Sequence, residues 1–183
     1  MNKKAKELMI PLADYPTVSK DATLSEAVMA LEKAHEVLAD RPYKPRSVIV
    51  VDDDGKVLGR LSLWDCLRAL EPKYKDIADF SRLTHFGINP EFMRSMVEKH
   101  GLWLDPLATL CQRAAGLHVH DFMSPADESM FMDHEASLAE AIHTMVMGRF
   151  MGLFVTDGQK VVGFLRLCDL FDHVARNMKG CQI

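Results

Sequence analysis

The chain has 183 residues, 48% hydrophobic and 26% charged, with a formal net charge of −4. That length supports a well-buried core in one large domain or two small packed ones, and the charge supplies no basic field for nucleic acid or acidic lipid. The most apolar stretch, 138–155, carries Glu140, His143 and Arg149, which excludes a comfortable membrane span.

In chain order, Lys3, Lys4 and Lys6 precede only short apolar patches before Asp14 and Pro16, so no signal peptide is expected. ATLSEAVMAL (22–31) opens a predicted helix. Its Thr23-x-x-Glu26 has the spacing of a capping box, and Ala27, Leu31, Ala34 and Leu38 share one face. ADRPYKPR (39–46) is broken by Pro42 and Pro45 and reads as a solvated turn carrying Arg41, Lys44 and Arg46. VIVVDDDGKVLGRLSLWD (48–65) reads as a hairpin turning at Asp54-Gly55, followed by a short helix from Trp64 to Leu70.

Residues 71–117 are not linker-like. NPEFMRSMVEKHG places Asn89 as N-cap, Pro90 at the first helical position and Gly101 just past the end. DPLATLCQRAAG repeats that design with Asp105, Pro106 and Gly116, and its Leu107, Leu110, Cys111 and Ala114 form an apolar stripe. A third helix is expected over about 73–85, with Phe86 and Trp103 as packing residues.

Beyond the insert the first pattern returns. HDFMSP (120–125) matches KELMIP (6–11), ASLAEAIHTM (136–145) matches ATLSEAVMAL, and GLFVTDGQKVVGFLRLCD (152–169) matches the hairpin. Ser137-x-x-Glu140 is a second capping box, and Leu138, Ala141, Ile142 and Met145 a second stripe. Each copy ends in Gly-x-Leu-x-Leu-x-Asp, but Ser62 of the first is replaced by Arg166 in the second. The first copy is also ten residues longer, in the stretch ending ADRPYKPR. An internal duplication of this extent predicts two strand-helix-strand-strand-helix (β-α-β-β-α) units of roughly 55 to 60 residues, each too small to be robust alone.

Other chemistry is sparse. The four cysteines (66, 111, 168 and 181) form no Cys-x-x-Cys and read as reduced thiols of a cytoplasmic protein. His118-x-His120 places two imidazoles on one strand face, but a closed zinc site wants four ligands. Neither a nucleophile elbow nor a phosphate-cradling loop is present, which disfavours an enzyme.

Taken in order and twice over, the Met-(x)-Pro lead-in, the capped helix start, the VVDDDGKVLG hairpin and the closing Gly-x-x-Ser/Thr-x-x-Asp resemble the cystathionine-β-synthase (CBS) domain pair. The resemblance covers about 5–70 and 118–178. It implies an α+β fold: a first repeat over 1–70, a helical insert over 71–117 and a second repeat over 118–183, the repeats stacked by pseudo-twofold symmetry with two clefts between them. It further implies a regulatory module, with no required cofactor, that binds AMP, ADP, ATP or S-adenosylmethionine, dimerises, and acts on an unidentified regulated protein. By the resemblance Asp65 would hold the ribose hydroxyls and Ser62 would lie near the phosphate. Thr17, Val18 and Ala22 would offer the adenine slot, Ser47 and Val48 another wall, and Arg46 a phosphate contact.

Asp169 and Arg166 take the corresponding places in the second cleft, with Met132, Ala136 and Arg149 around them. A carboxylate at the first turn of a helix suits a vicinal diol, and the helix N-terminus suits an anion. Ser62 and Asp65 are equally well explained as a helix cap. Arg166 cannot cap, at a cost of about 1 kcal/mol; it either grips a di- or triphosphate, or fills the cleft or pairs with Asp169 and abolishes the site. A ligand-free dimerisation scaffold with degenerate clefts, and a metal-binding protein using His118 and His120, are the alternatives.

Overall fold

A computed structural model of the chain describes residues 3–75 and 89–180. The fold is α+β, with two four-stranded sheets packed face to face and helices on their outer faces. The first repeat contributes β1 (Ile10–Pro11), β2 (Thr17–Ser19), α1 (Leu24–Val37), β3 (Ser47–Val51), β4 (Val57–Ser62) and α2 (Leu63–Leu70). The insert contributes α3 (Pro90–His100) and α4 (Leu107–Gly116). The second repeat contributes β5 (Ser124–Pro125), β6 (Phe131–Asp133), α5 (Leu138–Gly148), β7 (Gly152–Asp157), β8 (Lys160–Arg166) and α6 (Leu167–Gly180).

The local signals act as written. Thr23 and Ser137 close reciprocal capping boxes with Glu26 and Glu140, and the hairpins turn at Gly55 (φ +76°) and Gly158 (φ +59°), where a left-handed residue is needed. The apolar runs are continuous because both sheet faces are covered. Val48, Val50 and Leu61 pack under α1 and α2, and Leu153, Val155 and Leu165 under α5 and α6. Ile49, Val57, Phe154 and Phe164 meet between the sheets with Tyr15 and Ile10.

The sheets are not made of one repeat each. Their orders are β1-β8-β7-β6 and β2-β3-β4-β5, so each short lead-in strand pairs antiparallel with the last strand of the other repeat. Flanking backbone bonds repeat the exchange: Ala5 N–H donates to Ala136 O at 2.9 Å, and Val119 N–H to Ala22 O at 2.9 Å. The shared glycines permit it. A Cβ on Gly59 would stand 2.3 Å from the Ser124 carbonyl oxygen, and one on Gly163 2.7 Å from that of Ile10. These glycines mark where another backbone lies against the strand.

In the insert, Asn89 accepts from Phe92 N–H at 2.7 Å and Gly101 ends α3 in the left-handed region, as the spacing predicts. α4 differs from expectation: Pro106 is its cap residue, Gly116 its last helical residue, and Asp105 pairs with Arg113 at 2.7 Å instead of capping. Its stripe is only half used, since Ala114 packs toward the first core while Leu107 is 75% exposed. Of the helix expected over 73–85, residues up to 75 form a short 3-10 turn (Pro72–Lys75) and the rest, with Phe86 and Cys181, lies outside the described residues.

Replacing Gly59 or Gly163 by alanine is expected to destabilise the protein by about 1–3 kcal/mol through forced backbone displacement. Gly116→Ala, whose Cβ meets nothing within 4 Å, should be neutral or stabilising by up to about 1 kcal/mol. Denaturant unfolding of the three variants checks this.

Candidate functional site

The two closing motifs occupy equivalent strand-to-helix junctions. At the first, Ser62 ends β4 and caps α2, its Oγ accepting from Asp65 N–H at 3.3 Å. The Asp65 carboxylate folds back to accept from Ser62 N–H at 2.9 Å and Ser62 Oγ–H at 2.6 Å. Two further partners come from outside the motif. Ser124 Oγ–H, on the crossing strand β5, lies 3.2 and 3.4 Å from the two carboxylate oxygens, and the half-exposed Arg68 donates at 3.3 Å. Asp65 is 2% exposed, so it is a buried acid held by hydroxyls of both repeats. Ser124 is a site residue not singled out from sequence; its signal was the match of HDFMSP to KELMIP, which carries no hint that the segment crosses over.

At the second junction the carboxylate has one dominant partner. Arg166 donates from Nε to Asp169 Oδ2 at 2.5 Å and from Nη2 to Oδ1 at 2.7 Å, a bidentate pair. Its Nη1 donates to the Tyr43 carbonyl oxygen at 2.9 Å. Both residues are 4% exposed. Burial works against the guanidinium charge, but the hydrogen bonds and attraction from Asp169 outweigh it and leave the Arg166 pKa above its ordinary value. The structure therefore favours the second of the two roles open to Arg166, pairing with Asp169.

The other site residues divide between the junctions in a way the repeats do not suggest. Ser47 is buried beside Ser62 in register, yet its Oγ bonds Tyr15 OH at 3.1 Å, and the Tyr15 ring packs 5.0 Å from Phe164. Burial raises the Tyr15 pKa, opposed by the bond to Ser47 and by the charge of Arg166. Ser47 and the 43–47 segment thus belong structurally with Arg166 as much as with Asp65. Val48, Val18 and Ala22 pack into the first core. Met132 packs on the second core, and the Ala136 carbonyl is used by Ala5. Arg46 is exposed and its carbonyl accepts from Leu63 N–H; Met151, not Arg149, makes the equivalent bond to Leu167, while Arg149 caps α5 with φ +53°. Thr17 alone of the named residues lines an open cavity of about 660 Å³ near the hairpin turns, with Leu12, Tyr15, Gly55 and Lys160 on its walls. Neither acid lines it. A smaller pocket of about 190 Å³ lies against Arg68, Tyr74, Asp121 and Phe122, directly beside the Asp65 partner.

His118 and His120 stack at 5.7 Å, and each turns Nδ1 to a first-repeat carbonyl, of Asp21 and Lys20, at 3.0 Å. They fasten the crossing segment. Among the described residues no group of three or more His, Cys, Asp or Glu is placed to hold a metal ion.

The CBS domain family model matches residues 5–72 and 119–176, more than half of the chain, and the chain belongs to that family. No curated protein matches by sequence. Among solved structures, the CBS-pair protein CBSX2 from Arabidopsis thaliana is similar over 98% of this chain and 99% of its own, at 16% identity and a TM-score of 0.61. A structure of CBSX2 in complex with AMP is similar over 94% and 97%, at 18% identity and a TM-score of 0.55. A CBS-domain-containing protein of unknown function from Kribbella flavida is similar over 94% and 99%, at 20% identity and a TM-score of 0.57. At these identities the likeness is one of fold.

Each acid has a cysteine beside it. Burial pushes the Cys66 thiol up to about 11 and raises Cys168 as well, whereas Cys111 is exposed. In a Cys181→Ser background at pH 8, Cys111 is expected to react with a disulfide reagent rapidly and the other two much more slowly, because the thiolate is the attacking species. Time-resolved labelling with peptide mapping measures this.

Proposed function

We propose that this protein is a regulatory CBS pair that senses an adenine nucleotide or another adenosyl ligand, with Asp65 as the ribose anchor. The observation that carries the reading is the nature of the Asp65 partners. Ser62 and Ser124 present neutral hydroxyls to the carboxylate, and a ribose diol offers the same donors, so it can replace Ser124 without stranding a charge. That replacement would move β5, the strand by which the second repeat is laid on the first. Ligand binding then shifts the population between two settings of the repeats, and a partner protein responds to the setting. The AMP complex of CBSX2 supports the ligand class. The role is regulatory rather than catalytic. No helix among the described residues is long and apolar enough to cross a membrane, and the cytoplasm is the proposed compartment.

The functional unit is proposed to be a homodimer. α2 exposes Leu63, Trp64 (73% exposed) and Leu67, and α6 exposes Phe171 and Met178, apolar side chains that a second copy is proposed to cover. A second reading, a ligand-free dimerisation scaffold, is favoured by one observation: both acids are already buried and fully bonded.

Thermal unfolding with AMP, ADP, ATP and S-adenosylmethionine separates the two. A ligand at 100 times its Kd should add about 2.7 kcal/mol, and Asp65→Ala should erase the shift; a flat response to all four selects the scaffold. Sedimentation velocity should find a dimer that Trp64→Glu converts to monomer.

A further inference from the structure

We infer that Arg166 and the Tyr43 carbonyl occupy the second cleft in place of a ligand, so that each chain takes one adenosyl molecule, at Asp65, rather than two. This rests on the reading of the junction carboxylates as ribose anchors and goes beyond it by assigning a stoichiometry and the residue that sets it.

Three observations converge. First, the Asp169 carboxylate is filled by charge. Both oxygens accept from one guanidinium at 2.5 and 2.7 Å, whereas the cationic partner of Asp65 is a single half-exposed contact at 3.3 Å. A diol arriving at Asp65 exchanges hydroxyl for hydroxyl. At Asp169 it would have to expel a cation that is 4% exposed and has no water to receive it. Second, the guanidinium is already committed to the protein through three of its five N–H groups. Nε, Nη1 and Nη2 each already donate to an oxygen of the protein, and the group lies inside the fold.

Third, the closure is built from both repeats. Tyr43 belongs to the stretch by which the first copy is longer than the second. That stretch reaches over to Arg166, while the corresponding role at Asp65 is taken by the neutral hydroxyl of Ser124. Tyr15, whose ionisation feels the Arg166 charge, bonds Ser47 at 3.1 Å and packs on Phe164. The change from Ser62 to Arg166 and the ten added residues are two departures from the repeat that meet at one contact.

The test is calorimetric titration of the full chain with AMP, and separately with ATP. Wild type is expected to bind one equivalent per chain. Arg166→Ser, which restores the Ser-x-x-Asp of the first copy, should bind two, and Arg166→Gln, a bulkier neutral replacement, serves if the serine variant does not fold. One equivalent in wild type and still one in a folded variant would overturn the inference while leaving the sensor reading intact. Two equivalents in wild type would overturn it without any variant. No binding by wild type but one equivalent by Arg166→Ser would overturn the one-per-chain stoichiometry and discard Asp65 as the anchor, leaving only the closure of the second cleft by Arg166. No binding by either discards both.

Discussion

The organisation of this molecule depends on two short backbone segments each lying against a strand that belongs to the other half. Residues 3–11 complete the sheet of the second repeat, and residues 117–125 that of the first. Each strap needs a strand with no side chain at the point of contact, which Gly163 and Gly59 provide. Neither repeat can therefore satisfy its outer strand's hydrogen bonds alone, and the buried layer of Tyr15, Ile49, Phe154 and Phe164 forms only when both are present. For units too small to hold a core independently, exchange of this kind makes one cooperative body from two marginal ones. Exposed ion pairs of Lys4 and Lys6 with Glu135 follow the same seam. They hold the Glu135 carboxyl down at about 2, so what they contribute is present above the usual carboxylate pKa and fades as pH falls through about 2, with salt screening it throughout.

The same constraint brings the two acids into different company. Both sit at the third position of a helix that follows directly on a strand, where a carboxylate is favoured by the free N–H groups and the dipole. At Asp65 the crossing strap delivers a hydroxyl; in the other half the strap residue aligned with Ser124 is Ile10, which is buried and has nothing to donate. A buried carboxylate without donors is costly, and Arg166 supplies them from within the motif. A buried ion pair is weak evidence for net stability, because desolvation offsets most of the attraction. Its consequence is structural: it fixes the 39–46 segment over the junction through the Tyr43 carbonyl.

Much of this was legible in the letters. The duplication, the capping boxes, the hairpin turns and the faces of α1 and α5 are local signals, each decided by residues within a turn or two, and they fold as written. Pairing between Arg166 and Asp169 was readable as one of two options because the residues are three apart. What the sequence could not reveal is long-range. Nothing local says that MIP and MSP lie on the opposite repeat, that Ser124 bonds Asp65, or that the Tyr43 carbonyl meets Arg166. The glycine of Gly-x-Leu-x-Leu-x-Asp was visible twice, but its reason is another backbone more than a hundred residues away in Gly163 and more than sixty in Gly59. The exposed Leu107 shows the converse failure, an apolar periodicity that specifies a helix without a partner for its whole face.

The insert is joined to the first junction at two places. Its chain continues from α4 directly into the strap that carries Ser124, with Leu24 N–H donating to Leu117 O at 2.8 Å on the way. It is also clasped to the far end of α2. There the buried Glu71 accepts from Trp103 N–H at 2.7 Å, and Arg113 donates to Leu70 O at 2.5 Å. α2 is only eight residues long, begins at the Ser62 cap and Asp65, and ends in that clasp. A displacement of either Asp65 or Ser124 must consequently be taken up by the helical insert or by strain in α2, since packed helices move as units rather than deforming continuously. The ten-residue lengthening of the first copy reaches the other junction, where the Tyr43 carbonyl accepts from Arg166 at 2.9 Å. One half of the pair is joined to the insert by hydrogen bonds at Glu71 and Leu70, and in the other the Arg166–Asp169 pair is tied to the 39–46 segment.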